Sequence, residues 1–91
     1  MIVSFKCRKT ERLFHGHHVT AFSGFRRQAE KRLRILDASD SLKALQALPS
    51  NRFEKLSGGR AGQCSIRINK QWRICFIWDD GAHDVEIVDY H

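Results

Sequence analysis

The pattern of hydrophobic and polar positions changes period near the middle of the chain. From residue 21 onward, apolar side chains recur at spacings of three and four, the period of a helix with one buried face. These positions are Phe22, Phe25, Ala29, Leu33 and Leu36. We expect Ser23 to cap the start of this helix and Asp37 or Ser39 to end it.

Shorter segments flank this helix on both sides. Residues 2–5 alternate enough to predict a short first strand, and residues 9–15 predict a brief helix. A second main helix is expected over residues 41–48, capped by Asp40 or Ser41. Pro49 ends it, because its ring excludes helical angles from the residue before it.

Strand periodicity dominates the last third of the chain. Residues 64–68, 72–78 and 85–90 alternate between apolar and polar positions, with a hairpin turn predicted at 69–71. Residues 49–63 contain several glycines and are interpreted as a loop. The order β-α-α-β-β-β predicts an α+β fold, an antiparallel sheet with helices on one face, as one domain over residues 1–91.

Composition narrows the functional class without settling it. The net charge is +6 and the pI about 9.7, which favours nucleic acid, an anionic membrane surface or an acidic protein as partner. The three cysteines form no C-x-x-C pair and predict neither disulfides nor a zinc site. Residues 1–6 lack a signal-peptide pattern and no apolar run could span a bilayer, so the expected location is the cytoplasm.

Two groups of residues could carry chemistry on a phosphate polymer. Arg67 and Arg73 lie on one side of the predicted hairpin, away from its apolar stripe, where two guanidinium groups can converge on one anion. The sequence Asp89-Tyr90-His91 follows the last strand, so a phenol that could stack on a base and an imidazole that could move a proton come together. The alternatives are a solvated polar face and an inert histidine.

Three further features have weaker interpretations. His15, His17 and His18 suggest a metal site, but no nearby Cys or acid completes a known spacing, so we expect a surface loop. The loop 58–62 lacks the Lys-Ser/Thr of a P-loop and fits contact with an RNA backbone better. The basic helix positions are either a solvated face or the footprint of a large polyanion. They include Arg26, Arg27 and Lys31.

The ordered set of motifs resembles a known family along essentially the whole chain. A Leu-x-Gly-x-Arg-x-Gly loop over 56–62 precedes Ser-Ile-Arg at 65–67 and Trp-Arg-Ile-x-Phe at 72–76, and Val-Glu-Ile-Val-Asp-Tyr-His follows at 85–91. This set resembles the HigB-type toxins of the RelE superfamily, especially the GraT-like branch. These proteins are the toxin halves of bacterial toxin–antitoxin pairs.

The resemblance implies a RelE-like fold and a ribosome-dependent mRNA endonuclease that uses neither a metal ion nor another cofactor. In such enzymes the 2′-hydroxyl of the RNA attacks the adjacent phosphate. Carried onto this chain, Arg73 would stabilise the phosphate, Tyr90 would position or stack on a base, and His91 would be the acid/base group, positioned by Asp89. Further residues implied in holding the RNA backbone are Arg60, Arg67 and the neighbouring Lys55.

One departure from the family pattern lowers the expected activity. Some relatives have a histidine and a lysine just before and within the glycine loop, where this chain has Glu54 and Ser57. Glu54 could act as a base if its pKa were raised, but the positive charge of the lysine is missing, so weaker cleavage is expected. The resemblance leaves open which residue is the base and which is the acid.

The family also implies a partner, a HigA-type helix-turn-helix antitoxin that contacts operator DNA in the complex. Two alternatives remain at this point. One is a non-catalytic RNA- or ribosome-binding module, and the other is a gyrase inhibitor with the same fold.

Overall fold

The computed structural model describes residues 1–90, and His91 lies outside the described residues. The helices are α1 (Arg8–Phe14), α2 (Arg26–Ala38) and α3 (Leu42–Ala47). The strands are β1 (Glu54–Lys55), β2 (Cys64–Arg67), β3 (Trp72–Trp78) and β4 (Ala82–Asp89). Short 3-10 helices occupy Thr20–Phe25, Pro49–Asn51 and Gly58–Arg60.

The strands form one antiparallel sheet in the order β1-β2-β3-β4, which confirms the predicted α+β class. The predicted order β-α-α-β-β-β is wrong at its start. Residues 2–5 form no continuous strand in the structure. They make two isolated parallel bridges to β4, Ile2 to Ala82 and Phe5 to Val85. This segment packs closely on the turn before β4, since a Cβ at Gly81 would lie 2.7 Å from Val3 Cγ2.

The predicted loop 49–63 contains a strand that the sequence analysis missed. β1 is two residues long, with Glu54 opposite Ser65 and Lys55 opposite Cys64. A two-residue strand is too short to show alternation, so sequence periodicity cannot reveal it.

The helix predicted from residue 21 begins later than expected. Residues Thr20–Phe25 form a 3-10 helix, and α2 starts at Arg26. Ser23 therefore caps no helix, and its hydroxyl donates to the Thr20 carbonyl at 2.9 Å. The reason is aromatic packing: Phe25 stacks on Trp72 with ring centroids 4.8 Å apart, and Phe22 meets the same indole edge-on.

Capping of α3 agrees with the sequence. The Ser41 side chain accepts a hydrogen bond from the Ala44 amide at 3.1 Å, and the helix stops before Pro49. A 3-10 turn over Pro49–Asn51 then carries the chain toward β1.

All three helices pack on one face of the sheet, as predicted. The core between these layers is apolar, and its central side chains are fully buried. Its members include Leu13, Ala29, Leu33, Leu36, Leu45, Ile66, Ile74, Phe76 and Val85. The opposite face of the sheet carries polar and charged side chains. They are Ser65 and Arg67 on β2, Arg73 and Cys75 on β3, and Glu86 on β4.

The cysteines are free thiols, as the sequence indicated. Cys64 and Cys75 are buried, and burial raises the pKa of both thiols. Among the described residues, no helix is long and apolar enough to cross a membrane.

Thr10 joins α1 to the last strand and gives a test of the packing. Its hydroxyl is fully buried and accepts a hydrogen bond from the Ile87 amide at 3.0 Å. Thr10→Val keeps the shape but leaves that amide unsatisfied, so we expect a loss of about 1–3 kcal/mol in the free energy of unfolding. Chemical denaturation measures this, with exposed Thr20→Val as the control. Equal midpoints for the two variants would contradict the structure of this contact.

Candidate active site

A basic cleft opens on the sheet face opposite the helices, at the end of the β2–β3 hairpin. Its volume is about 360 Å³. The cleft brings together residues from strands, turns and the segment after β4. The lining residues are Arg52, Glu54, Arg67, Asn69, Lys70, Arg73 and Tyr90. Four of these residues are site residues predicted from the sequence: Glu54, Arg67, Arg73 and Tyr90.

Arg73 is the anchor of the cleft, and only 9% of its side chain is exposed. Its Nε donates to Ser65 Oγ at 2.8 Å, and its Nη2 donates to the Arg52 carbonyl. Its Nη1 lies 3.6 Å from Glu54 Oε1. These contacts come from two segments, β2 and the stretch from Arg52 to Glu54. They fix the guanidinium before any ligand binds, which is the condition for electrostatic stabilisation of a reacting phosphate.

Arg67 lies directly opposite Arg73 in the β2–β3 register and lines the same cleft. The convergence of two arginines expected from the sequence is therefore present in the fold. Like charges directly opposite on neighbouring strands destabilise a sheet. A bound anion between the two guanidinium groups would relieve this repulsion.

Arg52 reaches the cleft because its own backbone has a left-handed conformation. After the 3-10 turn, Arg52 has φ 45° and ψ 48°, a conformation that costs energy for a residue other than glycine. This turn aims the Arg52 carbonyl at Arg73 and leaves the Arg52 side chain exposed at the cleft. Such local strain is typical of functional sites.

Glu54 and Tyr90 provide the two non-cationic reactive groups. The Glu54 side chain is 54% exposed and pairs with Arg73, so its carboxylate lies at the mouth of the cleft. Tyr90 is 38% exposed, and its amide donates to the Gln71 carbonyl at 2.7 Å, which continues β4 pairing by one residue. An accessible carboxylate and an accessible aromatic ring therefore adjoin the anchored guanidinium.

The β2–β3 turn is held by its first residue. Asn69 Oδ1 accepts from the amides of Gln71 at 2.9 Å and Trp72 at 2.8 Å, an Asx turn. This confirms the predicted hairpin at 69–71 and presents Lys70 at the cleft. Four cationic side chains line the cleft against one carboxylate, so this described surface favours an anion.

Two predicted residues lie elsewhere. Asp89 lies opposite Trp72 in the β3–β4 register, so its side chain is on the other face of the sheet from Arg73. Its carboxylate accepts a hydrogen bond from Gln71 Nε2 at 2.9 Å. Arg60 pairs with Glu86 at 3.1 Å, and this hydrogen bond raises the pKa of Arg60. Arg60 therefore ties the glycine loop to β4 and does not line the cleft.

Four further predicted residues within the described part of the chain are also outside the cleft. Lys55 is exposed on β1, next in sequence to Glu54 and so on the other face of the strand. Arg26 pairs with Glu30 at 3.5 Å, while Arg27 and Lys31 are exposed on α2. His91 lies outside the described residues.

Three lining residues were missed by the sequence analysis as site residues. Arg52 and Lys70 belong to a basic stretch of sequence, residues 52–73. Its charge favours an anionic partner but does not indicate which of its side chains form a site. Asn69 was recognised as a turn residue alone. Their place depends on the left-handed turn at Arg52 and on the Asx turn, neither of which has a strong sequence signal here.

The histidine loop has no metal-site geometry. The ring of His15 packs edge-on against Phe14 with centroids 5.4 Å apart. Within residues 1–90, no group of three or more His, Cys, Asp or Glu side chains is arranged to hold a metal ion.

Comparison with known proteins agrees with these features. The model for the RelE-like toxin of the type II toxin–antitoxin system HigB matches residues 3–91. Toxin HigB-1 of Vibrio cholerae serotype O1 is 37% identical over an alignment of 93 residues, which covers 100% of this chain and 98% of that protein. A toxin of a type II system has an antitoxin as its partner. The helices packed on one face of an antiparallel sheet fit the RelE-like fold, and the chain belongs to the HigB-like family of RelE-like toxins from type II toxin–antitoxin systems.

Proposed function

We propose that this protein is a ribosome-dependent mRNA endonuclease whose active site is the Arg73 cleft. The observation that carries the proposal is the buried, fully anchored guanidinium of Arg73, which faces an open cationic cleft beside Glu54 and Tyr90. RelE-like HigB toxins are generally endoribonucleases, which supports this reaction class. The protein would act in the cytoplasm, where its substrate is translated.

The proposed reaction is a phosphoryl transfer within the RNA strand. A base removes the proton of a 2′-hydroxyl, whose oxygen bonds to the adjacent phosphorus as the bond to the 5′-oxygen breaks. An acid gives a proton to that leaving oxygen, so the products end in a 2′,3′-cyclic phosphate and a 5′-hydroxyl. Negative charge grows on the phosphate oxygens, where Arg73 and Arg67 stabilise it.

The roles of the remaining groups follow from their positions. Glu54 has an accessible carboxylate beside Arg73 and takes the role of base. Tyr90 presents an exposed ring on which a splayed base can stack. His91 follows Tyr90 directly in sequence and takes the role of acid. Asp89 accepts a hydrogen bond from Gln71 and so fixes the end of β4 next to Tyr90.

The antitoxin partner is proposed to be of the HigA type. Such a helix-turn-helix protein would neutralise the toxin and bring it to operator DNA within the complex. This chain would then meet DNA through its partner.

Controlled expression in bacteria, with mapping of mRNA 5′ ends, tests the function. The intact chain should generate new ends within translated regions, and these should vanish when initiation is blocked. Arg73→Ala should yield none of them. Because this variant removes buried hydrogen bonds, circular dichroism must show that it is folded. A folded variant that cuts like the intact chain would refute the proposal, and growth arrest without cuts would favour the non-catalytic ribosome-binding alternative.

Glu54→Gln is expected to slow cleavage by about 100-fold, a magnitude typical of a lost general base. The amide keeps the shape and a hydrogen-bonding group beside Arg73 but accepts no proton. Single-turnover cleavage on programmed ribosomes measures the effect. Glu30→Gln is the matched control, because it also removes a carboxylate paired with an arginine, at 3.5 Å from Arg26 on α2. Equal rates for both variants would remove Glu54 from the mechanism.

A further inference from the structure

A second basic cleft continues the first toward helix α2. Its volume is about 410 Å³. Its walls come from α2, the 3-10 turn before Arg52 and the β2–β3 hairpin. The lining residues are Gln28, Arg32, Ser50, Arg52, Arg67, Ile68, Asn69 and Lys70. Four of them, Arg52, Arg67, Asn69 and Lys70, also line the first cleft, so the two form one continuous groove.

Hydrogen bonds hold the two ends of this groove in a fixed relation. Arg32 Nη1 donates to Asn51 Oδ1 at 2.9 Å and to Ser50 Oγ at 3.2 Å. Asn51 is fully buried, and its amide donates to the Leu45 carbonyl at 3.1 Å. The carbonyl of the next residue, Arg52, accepts a hydrogen bond from Arg73 Nη2. One short segment thus connects the Arg32 guanidinium to the anchored Arg73.

The chemistry of the second cleft fits a phosphodiester. Four cationic side chains line it, with amide and hydroxyl groups from Gln28, Ser50 and Asn69, and no acidic residue of the described chain is among its walls. An arginine fork and short polar side chains are the usual ligands of nucleic-acid phosphates. Continuity with the Arg73 cleft selects a nucleic-acid strand, because one strand would supply phosphates to both ends.

We propose that the Arg32 end of this groove binds a backbone phosphate of the same RNA strand, outside the scissile position. This inference rests on the proposed function, since it takes the Arg73 cleft as the place of the scissile phosphate. The RNA-binding surface therefore extends past the cleavage site onto α2. Affinity should then depend on RNA length, and the dependence should be lost when the second cleft is made repulsive.

Two isosteric variants isolate this effect. Gln28→Glu places a carboxylate at the second cleft, and Gln46→Glu places one on α3 away from it. Both positions are exposed on helices and both changes lower the net charge equally. Fluorescence anisotropy would use 2′-O-methyl RNA, which lacks the attacking hydroxyl, at lengths of about three and about ten nucleotides.

Gln28→Glu should weaken binding of the longer RNA by about 5- to 10-fold relative to Gln46→Glu, and should leave the shorter RNA within about twofold. Arg32→Gln should lower the salt dependence of binding, with the slope of log K against log salt falling by about 0.7 for one lost phosphate contact. Thermal melts identify an unfolded Arg32→Gln protein, and Gln28→Glu decides the matter independently because Gln28 is exposed.

The results separate this inference from the proposed function. If Gln28→Glu and Gln46→Glu bind the longer RNA equally, the second phosphate site is wrong, whatever the cleavage assays show. Equal affinity of the intact chain for short and long RNA would also overturn it. A length effect that disappears in Gln28→Glu supports the site even if the intact chain fails to cut mRNA, a failure that would refute the cleavage mechanism alone.

Discussion

Replacing Arg73 with lysine is expected to lower the rate of mRNA cleavage on ribosomes by about 100-fold or more, the effect of losing one preorganised charge-stabilising donor. Lysine keeps the positive charge. It cannot donate at the same time to Ser65, to the Arg52 carbonyl and to a phosphate, because its single ammonium lacks the planar fork of arginine. The measurement is a single-turnover rate with saturating ribosomes, so weaker binding does not enter the result.

Arg67→Lys is the matched control for this prediction. Arg67 lies opposite Arg73 in the β2–β3 register and lines the same cleft, but it is more exposed than Arg73, so we expect it to contribute less to stabilising the charge on the phosphate. We expect Arg67→Lys to lower the cleavage rate by about 10-fold or less, since lysine keeps a positive charge at this more exposed position. If Arg67→Lys were the more damaging change in folded protein, Arg73 would not be the central phosphate ligand.

His91→Ala is expected to slow cleavage by about 100- to 10,000-fold, the range for a general acid. The reason is chemical: the 5′-oxygen is a poor leaving group unless a proton reaches it as the bond breaks. When sulfur replaces that oxygen in the substrate, the leaving group departs readily without a proton. The thio-substituted RNA should therefore be cut by His91→Ala at nearly the rate of the intact chain.

Tyr90→Phe is the companion variant for His91→Ala. It keeps the aromatic ring that lines the cleft and removes the phenol, so a stacking role predicts a loss of less than about 10-fold on either RNA. If the thio-substituted RNA fails to restore His91→Ala, the acid is another group and His91 has a different role.

Helix and strand periodicity predicted the α+β class and the face on which the helices pack. The long apolar stripe through Ala29, Leu33 and Leu36 and the alternating strands 64–68 and 72–78 are strong local signals, and all lie in the core as expected. The 3-10 helix at Thr20–Phe25 was missed because its aromatic residues continue the helical spacing while packing on Trp72.

The site was predictable in its strand residues and less so in its turns. Arg67 and Arg73 alternate with apolar neighbours, so their shared face followed from the sequence. Arg52 enters the cleft through a left-handed backbone conformation, which a residue other than glycine rarely adopts. Arg60 matched a family motif, yet its guanidinium pairs with Glu86, a contact between residues far apart in sequence.

The most direct test of the cleavage mechanism is cleavage by the purified protein on ribosomes programmed with one defined mRNA. The message is prepared with either a 2′-hydroxyl or a 2′-deoxy sugar at the cleaved nucleotide. We expect a cut in the first message that depends on ribosomes and on Arg73 and leaves a 2′,3′-cyclic phosphate, and no cut at that position in the second. Equal cleavage of both messages, or no cleavage of either by folded protein, would contradict it.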